Sequence, residues 1–99
     1  MASQEERNYQ KGLIQRIKKR FPGSIVMKLD AKYKQGIPDW LVLYKDKWAT
    51  LECKADKKST KRPNQDIWVD KMNDMSFSSF IYPDNEEEVL NEMERSFKA

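Results

Sequence analysis

Two carboxylates and an ammonium lie close together in the middle of this chain: Asp39, directly after Pro38, and then Glu52 and Lys54. The stretch that holds them, GIPDWLVLYKDKWATLECK from Gly36 to Lys54, reads as two short strands joined by a tight turn at Lys45-Asp46-Lys47. Side chains alternate across a strand, so Glu52 and Lys54 share one face while Leu51 and Cys53 share the other. Paired strands would then present Asp39, Glu52 and Lys54 on one side of the hairpin. Such a charge set at a sheet rim costs stability, which marks it as a candidate site. The rest of the composition narrows its chemistry. The chain has no histidine, which excludes Ser-His-Asp and Cys-His catalysis, and its single cysteine cannot build an ordinary zinc site. Neither GxxxxGK[ST] nor GxGxxG occurs, so a nucleotide cofactor has no evident cradle. Carboxylates with lysine suit a hard divalent cation such as Mg²⁺, which takes oxygen ligands. A metal held by Asp39 and Glu52 could generate hydroxide and neutralise a phosphoryl oxygen, while Lys54 orients the attacking water or stabilises the developing charge.

The elements that must position these groups follow from periodicity. Glu5 to Arg20 predicts a helix with an apolar stripe of Tyr9, Leu13, Ile14 and Ile17, ended by Phe21-Pro22-Gly23. Glu6 and Gln10 edge that stripe. Ser24 to Leu29 predicts a strand with Ile25, Met27 and Leu29 on one side and Val26 and Lys28 on the other. DAKYKQ (Asp30–Gln35) is a polar, basic loop holding one aromatic, and Gly36 permits an unusual turn before Ile37-Pro38. After the hairpin, ADKKSTK (Ala55–Lys61) is a basic linker, and Pro63 fits the first turn of a second helix with Gln65 near its start. Ile67, Trp68, Met72 and Met75 form the expected core side of that helix. Phe77 to Tyr82 predicts a fourth strand, and Asp84-x-x-Glu87 a capping-box start for a last helix with Val89, Leu90, Met93 and Phe97 inward. The expected order is α-β-β-β-α-β-α, one α/β domain over residues 1–99.

Size and charge bound the remaining possibilities. A chain of 99 residues with 35% charged and 38% hydrophobic side chains suits a small soluble domain. Its longest apolar run, Trp40–Tyr44, is far short of a membrane span, and the first ten residues lack the apolar core of a signal peptide. With one cysteine, no internal disulfide forms; the expected setting is the cytoplasm, and Cys53 is expected to pack inward as a small hydrophobe. Residues 1–34 carry nine Lys/Arg against three Asp/Glu (net +6), whereas residues 73–99 carry two against seven (net −5). That polarity suggests a polyanionic partner on the basic side.

Pro38-Asp39 followed thirteen residues on by Glu52-Cys53-Lys54 resembles the PD-(D/E)xK nuclease signature. The wider frame, from Glu6 and Gln10 through Lys28, Gly36-Ile-Pro-Asp39, Glu52-Cys-Lys54 and Gln65, is similar to the VRR-NUC branch of that superfamily, over about residues 6 to 82. The likeness is to the small stand-alone members carried by bacteriophages and prophages. It implies a restriction-endonuclease-like core, a mixed β-sheet flanked by helices, and a divalent-metal-dependent DNA endonuclease using Mg²⁺ or Mn²⁺. It further implies a homodimer that cuts branched DNA of the Holliday-junction kind, in a bacterial host cytoplasm if phage-encoded.

Carried across residue by residue, the resemblance makes Asp39 and Glu52 metal ligands, with the Cys53 carbonyl as a further one, and Lys54 the catalytic lysine. Glu6 would touch the metal or its waters, and Gln65 would stand beside the active site. Lys28 would meet phosphate. Apart from the resemblance, the basic residues Lys32, Lys34, Lys57, Lys58, Lys61 and Arg62 could bind DNA in a nuclease or in a pure binder alike. The segment Asn73–Phe77 lacks the glycine often found there in the family. The competing reading is a non-catalytic DNA-binding module, or a nuclease subunit that needs a partner for targeting. The Asp/Glu/Lys set argues against a pure binder, because carboxylates beside a phosphate backbone repel it.

Overall fold

Ser3 starts the first helix by accepting the Glu6 N–H on its hydroxyl at 3.0 Å, and α1 then runs Gln4–Arg20. Glu5 and Glu6 in the first turn and Lys18, Lys19 and Arg20 in the last suit the helix dipole. The computed structural model describes residues 3–99. After α1 come β1 (Ile25–Lys28), β2 (Trp40–Tyr44), β3 (Lys47–Cys53), α2 (Gln65–Met75), β4 (Phe77–Ile81), a 3₁₀ turn at Pro83–Asn85 and α3 (Glu86–Lys98). The order is the expected one with the 3₁₀ turn added. The strands lie β1-β2-β3-β4; the first three are antiparallel neighbours and β4 runs parallel to β3. A parallel neighbour needs a crossover, which α2 provides.

Strand alternation divides the sheet into a dry face and a mixed one. Val26, Val42, Ala49 and Phe77 are aligned across all four strands, and with Leu51, Cys53 and Ile81 they meet Leu13 and Ile17 of α1 and Val89, Leu90, Met93 and Phe97 of α3. Each fully buried side chain of this kind contributes roughly 1.5–3 kcal/mol. On the dry side, α1 and α3 are clamped by Glu86, whose carboxylate accepts from Arg16 Nε at 2.6 Å, Arg16 Nη2 at 2.8 Å and Tyr9 Oη at 2.8 Å. The opposite face carries Thr50, Glu52 and Ser78 beneath α2, with Thr50 Oγ1 donating to Ser78 Oγ at 2.8 Å.

The structure settles which face of β1 turns inward, and three expectations about the helices are corrected. In β1, Val26 is the residue that reaches the core, while Ile25 and Met27 are 55% and 44% exposed. The edge strand has a helix on one face only, so the longer alternate set is left outside. In α2 the most deeply buried residues are Gln65 and Val69; of the expected stripe, Trp68 and Met72 are half-buried, Met72 Sδ accepting from Thr50 Oγ1 at 3.3 Å, whereas Ile67 and Met75 are 53% and 75% exposed. The helix packs on β3 and β4 alone, a narrow contact that leaves Ile67 and Met75 outside it. Its start also differs, since Pro63 lies before the helix and Asn64 takes a left-handed φ of +70° ahead of Gln65. Gly36 (φ +90°) packs there so tightly that an added Cβ would sit 2.7–2.8 Å from Asn64 and Pro63 atoms, so the β1–β2 loop and the entry to α2 constrain one another. Finally, α3 begins at Glu86, with Asp84 inside the 3₁₀ turn. Asn85 replaces the expected capping box, accepting the Tyr82 N–H at 2.8 Å and donating to the Phe80 carbonyl at 3.2 Å. The turn after α2 is made without glycine: the Ser76 N–H caps the Met72 carbonyl and its hydroxyl donates to the Trp48 carbonyl.

Candidate active site

Trp40 is opposite Leu51 in the β2–β3 ladder, so Asp39, one residue before, falls level with Glu52. Asp39 Oδ2 accepts the Cys53 N–H at 2.9 Å and Oδ1 faces Lys28 Nζ at 3.2 Å. Glu52 is 3% exposed; its Oε2 accepts from Gln65 Nε2 at 2.9 Å, and among the described residues its Oε1 has no hydrogen-bond partner. Lys54, likewise buried, donates to Gln65 Oε1 at 2.8 Å and to the Thr60 carbonyl at 3.1 Å, and stands 3.9 Å from Glu52 Oε2. Gln65 is the linchpin. Its amide nitrogen holds Glu52, while its oxygen holds Lys54 and the Arg62 N–H at 2.8 Å. A glutamine at the first position of α2 can do this because the crossover brings the start of that helix over the end of β3.

The electrostatics follow from burial. Glu52 is pushed up to about 8, first by burial and then by the negative charge of Asp39, against the pull of Lys54. Glu6 is raised as well, by partial burial and then by Asp39. Burial also pushes the Cys53 thiol up; it is fully enclosed and inert as a nucleophile, in keeping with inward packing. A buried carboxylate with one unsatisfied oxygen, level with a second acid, is poorly solvated and poorly paired. Those are the conditions under which a hard cation binds by oxygen. Among the described residues no three His, Cys, Asp or Glu side chains are grouped closely enough to hold a metal ion by themselves. Asp39 and Glu52 are the pair that fits such an ion, with bound water or phosphate needed to fill its shell.

Around this floor opens a cleft of about 1060 Å³ whose lining includes Glu6, Lys28, Lys32, Asp39, Glu52, Lys54, Arg62 and Gln65. These eight sequence candidates therefore share one cavity. Lys57 and Lys61 line a second, smaller groove between α2 and β4, where Lys61 Nζ pairs with Asp66 at 3.1 Å and sits 4.5 Å above the Phe80 ring. Lys34 and Lys58 line neither groove, and Lys34 lies 5.8 Å from the Trp68 ring centre. Gln10 lines the cleft and accepts from Trp40 Nε1 at 3.3 Å. Two contributors escape the sequence reading. Arg7 joins the cleft wall, and its spacing from Ser3 and Gln10 on α1 is the signal that could have found it. The Thr60 carbonyl is backbone, which leaves no side-chain signature.

No family model matches the chain, and no curated protein matches it. A solved structure described as a VRR_NUC domain superposes on 97% of this chain and 97% of its own, with a TM-score of 0.62 and 21% sequence identity. The mixed sheet, its flanking helices and the crossover through α2 are thus the VRR_NUC domain fold. Among the described residues no helix is long and apolar enough to cross a membrane.

Proposed function

We propose that this chain is a divalent-metal-dependent DNA endonuclease that hydrolyses phosphodiester bonds, a member of the VRR-NUC group of PD-(D/E)xK nucleases. One observation carries the reading: buried Glu52, level with Asp39, keeps one oxygen without a partner among the described residues while Gln65 and Lys54 fix the other side of the site. The VRR_NUC fold supports it. Asp39 and Glu52 would hold Mg²⁺ or Mn²⁺, with the Cys53 carbonyl as a further oxygen donor and Glu6 reaching the ion through its bound waters. When bound there, such an ion lowers the pKa of water and neutralises phosphoryl oxygens.

The chain's own groups supply the rest. Gln65 keeps the Lys54 ammonium at 3.9 Å from Glu52, near enough to offset its charge without a tight pair that would consume it. The described bonds use two of the three ammonium protons, which leaves one for an attacking water or a phosphoryl oxygen. Lys28, Lys32 and Arg62 on the cleft wall would take neighbouring phosphates. The preferred substrate is branched DNA, cut by a homodimer whose two sites match the two-fold symmetry of a junction, in the cytoplasm.

Plasmid nicking with Mg²⁺, Mn²⁺ or EDTA tests the central reading. Nicking with either metal and none in EDTA is expected; metal-independent nicking, or DNA binding with no cleavage under any condition, overturns it. Light scattering with and without junction DNA tests the assembly, with twice the chain mass expected.

A further inference from the structure

Tyr33 is 84% exposed, the barest of the large apolar side chains among the described residues. It does not project from a loose segment. The loop between β1 and β2 is fastened on both sides of it: the Lys32 N–H donates to Asp30 Oδ1 at 2.8 Å and the Tyr33 N–H to the Asp30 carbonyl at 3.0 Å. Beyond the tip, the Ile37 N–H donates to the Lys34 carbonyl at 3.3 Å and Trp68 Nε1 holds the Gln35 carbonyl at 3.1 Å. Gly36 then wedges the loop against the entry to α2. Residues Leu29–Lys32 and Gln35–Ile37 line the cleft, whereas Tyr33 and Lys34 do not; the tip therefore stands at the rim of the cleft that holds Asp39, Glu52 and Lys54.

A pre-fastened loop that holds an aromatic ring in water between two lysines gains no packing energy from that ring. The arrangement suits a ligand that offers a negative backbone to Lys32 and Lys34 and a flat π-face to Tyr33. A nucleic-acid strand with an unstacked base has both. Bases inside an intact duplex already stack on their neighbours and present no face to a side ring. We propose that Tyr33 is a base-stacking post: it captures a nucleobase left unstacked at a gap, branch or end, and so selects DNA whose stacking is interrupted next to the phosphate to be cut. This inference rests on the nuclease reading above and adds the group that would read DNA structure.

The test compares a short intact duplex with the same duplex carrying a gap of a few nucleotides, with 2-aminopurine beside the gap and Ca²⁺ in place of Mg²⁺ to hold the complex uncut. The wild-type protein should bind the gapped DNA more tightly and change the 2-aminopurine fluorescence. Tyr33→Ala should reduce that preference by about 5-fold or more, the scale of one base–aromatic stack, and lose the fluorescence change. Tyr33→Phe and Tyr33→Trp should keep both. The exposed position means that Tyr33→Ala should melt where the wild type does, so a lost preference would not reflect misfolding. A wild-type preference that survives Tyr33→Ala, or no preference in the wild type, overturns the stacking role while leaving plasmid nicking untouched. A wild type that neither binds nor nicks any DNA overturns the nuclease reading and this inference together.

Discussion

Glu52 and Glu86 are the same residue type in opposite circumstances. Glu86 joins α1 to α3 with three donors on its carboxylate, two from Arg16 and one from Tyr9. Partial burial works to raise it, but those hydrogen bonds outweigh burial and hold it below the usual carboxylate range. Glu52 is more deeply buried, has one donor from Gln65, shares its surroundings with Asp39, and is pushed up to about 8. The first is a charge the fold has satisfied. The second is an acid whose surroundings disfavour its charge, and that difference separates a structural ion pair from a candidate ligand site.

Isosteric substitutions that remove a charge sharpen the contrast most. Glu52→Gln or Asp39→Asn should cut metal-dependent nicking by at least about 100-fold, and Asp39→Asn should melt higher than the parent in EDTA above pH about 8, where Glu52 is ionised and the charge that repels it is gone. In the parent, Mg²⁺ at about 100 times its Kd should stabilise by ~2.7 kcal/mol; Asp39→Asn should lose most of that. Lys54→Ala should lose nicking yet still bind metal. Thermal melts and calorimetric titration check both, and if Asp39→Asn kept full metal affinity, the site assignment would fall.

Gly36→Ala attacks the scaffold of the site instead. The new Cβ meets backbone atoms of Pro63 and Asn64 at 2.8 Å, at a φ that disfavours any side chain. A loss of about 2–4 kcal/mol is expected, measured by urea denaturation. By contrast, Glu86→Gln should cost about 1–2 kcal/mol, discounted for the partly exposed Arg16, and leave nicking within about two-fold in the same mild-denaturation range. Comparable nicking losses for Glu86→Gln and Glu52→Gln would erase the distinction between them.

The two acids should also write opposite signatures into stability against pH, measured as melting temperature in EDTA. Glu52 has a folded pKa above its unfolded value of about 4.5, so the folded state holds the proton more tightly. Its contribution is largest at acid pH and drains away as pH rises from about 4.5 through about 8. Glu86 has a lowered folded pKa, so its contribution is present above about 4.5 and is lost as pH falls through the folded value. Glu52→Gln should flatten the alkaline-side decline and Glu86→Gln the acid-side one.

The smallest effect concerns DNA affinity away from the site. If about five phosphates are contacted, log K against log[salt] should slope near −4 to −5. Lys57, Lys58 and Lys61 lie outside the main cleft, so replacing all three by alanine should weaken binding alike for every sequence and reduce the slope, checked by fluorescence anisotropy across a salt series. Loss confined to one sequence would count against phosphate binding there.

Much of this protein was legible in its residues because the signals are local. Alternation along Trp40–Tyr44 and Lys47–Cys53, the spacing of Val89, Leu90, Met93 and Phe97, and the Asp39/Glu52/Lys54 pattern depend on a few neighbouring positions, and they predicted the order of elements and the acids and lysine at the cleft floor, whereas Glu6, Lys28 and Gln65 were reached through the family resemblance. What escaped depends on partners distant in the chain. Whether Ile25 or Val26 faces the core is set by which side of the edge strand α1 and α3 cover. Whether Ile67 or Val69 faces inward is set by how a crossover helix seats on two strands. Gln65 becomes the bridge between Glu52 and Lys54 only when α2 begins over the end of β3, and Gly36, some thirty residues earlier, constrains where that happens. The sequence by itself determined which charges the protein would carry close together. The tertiary structure decided which of them would be left unpaired, because desolvation and hydrogen-bond supply are properties of the assembled surroundings rather than of any single residue.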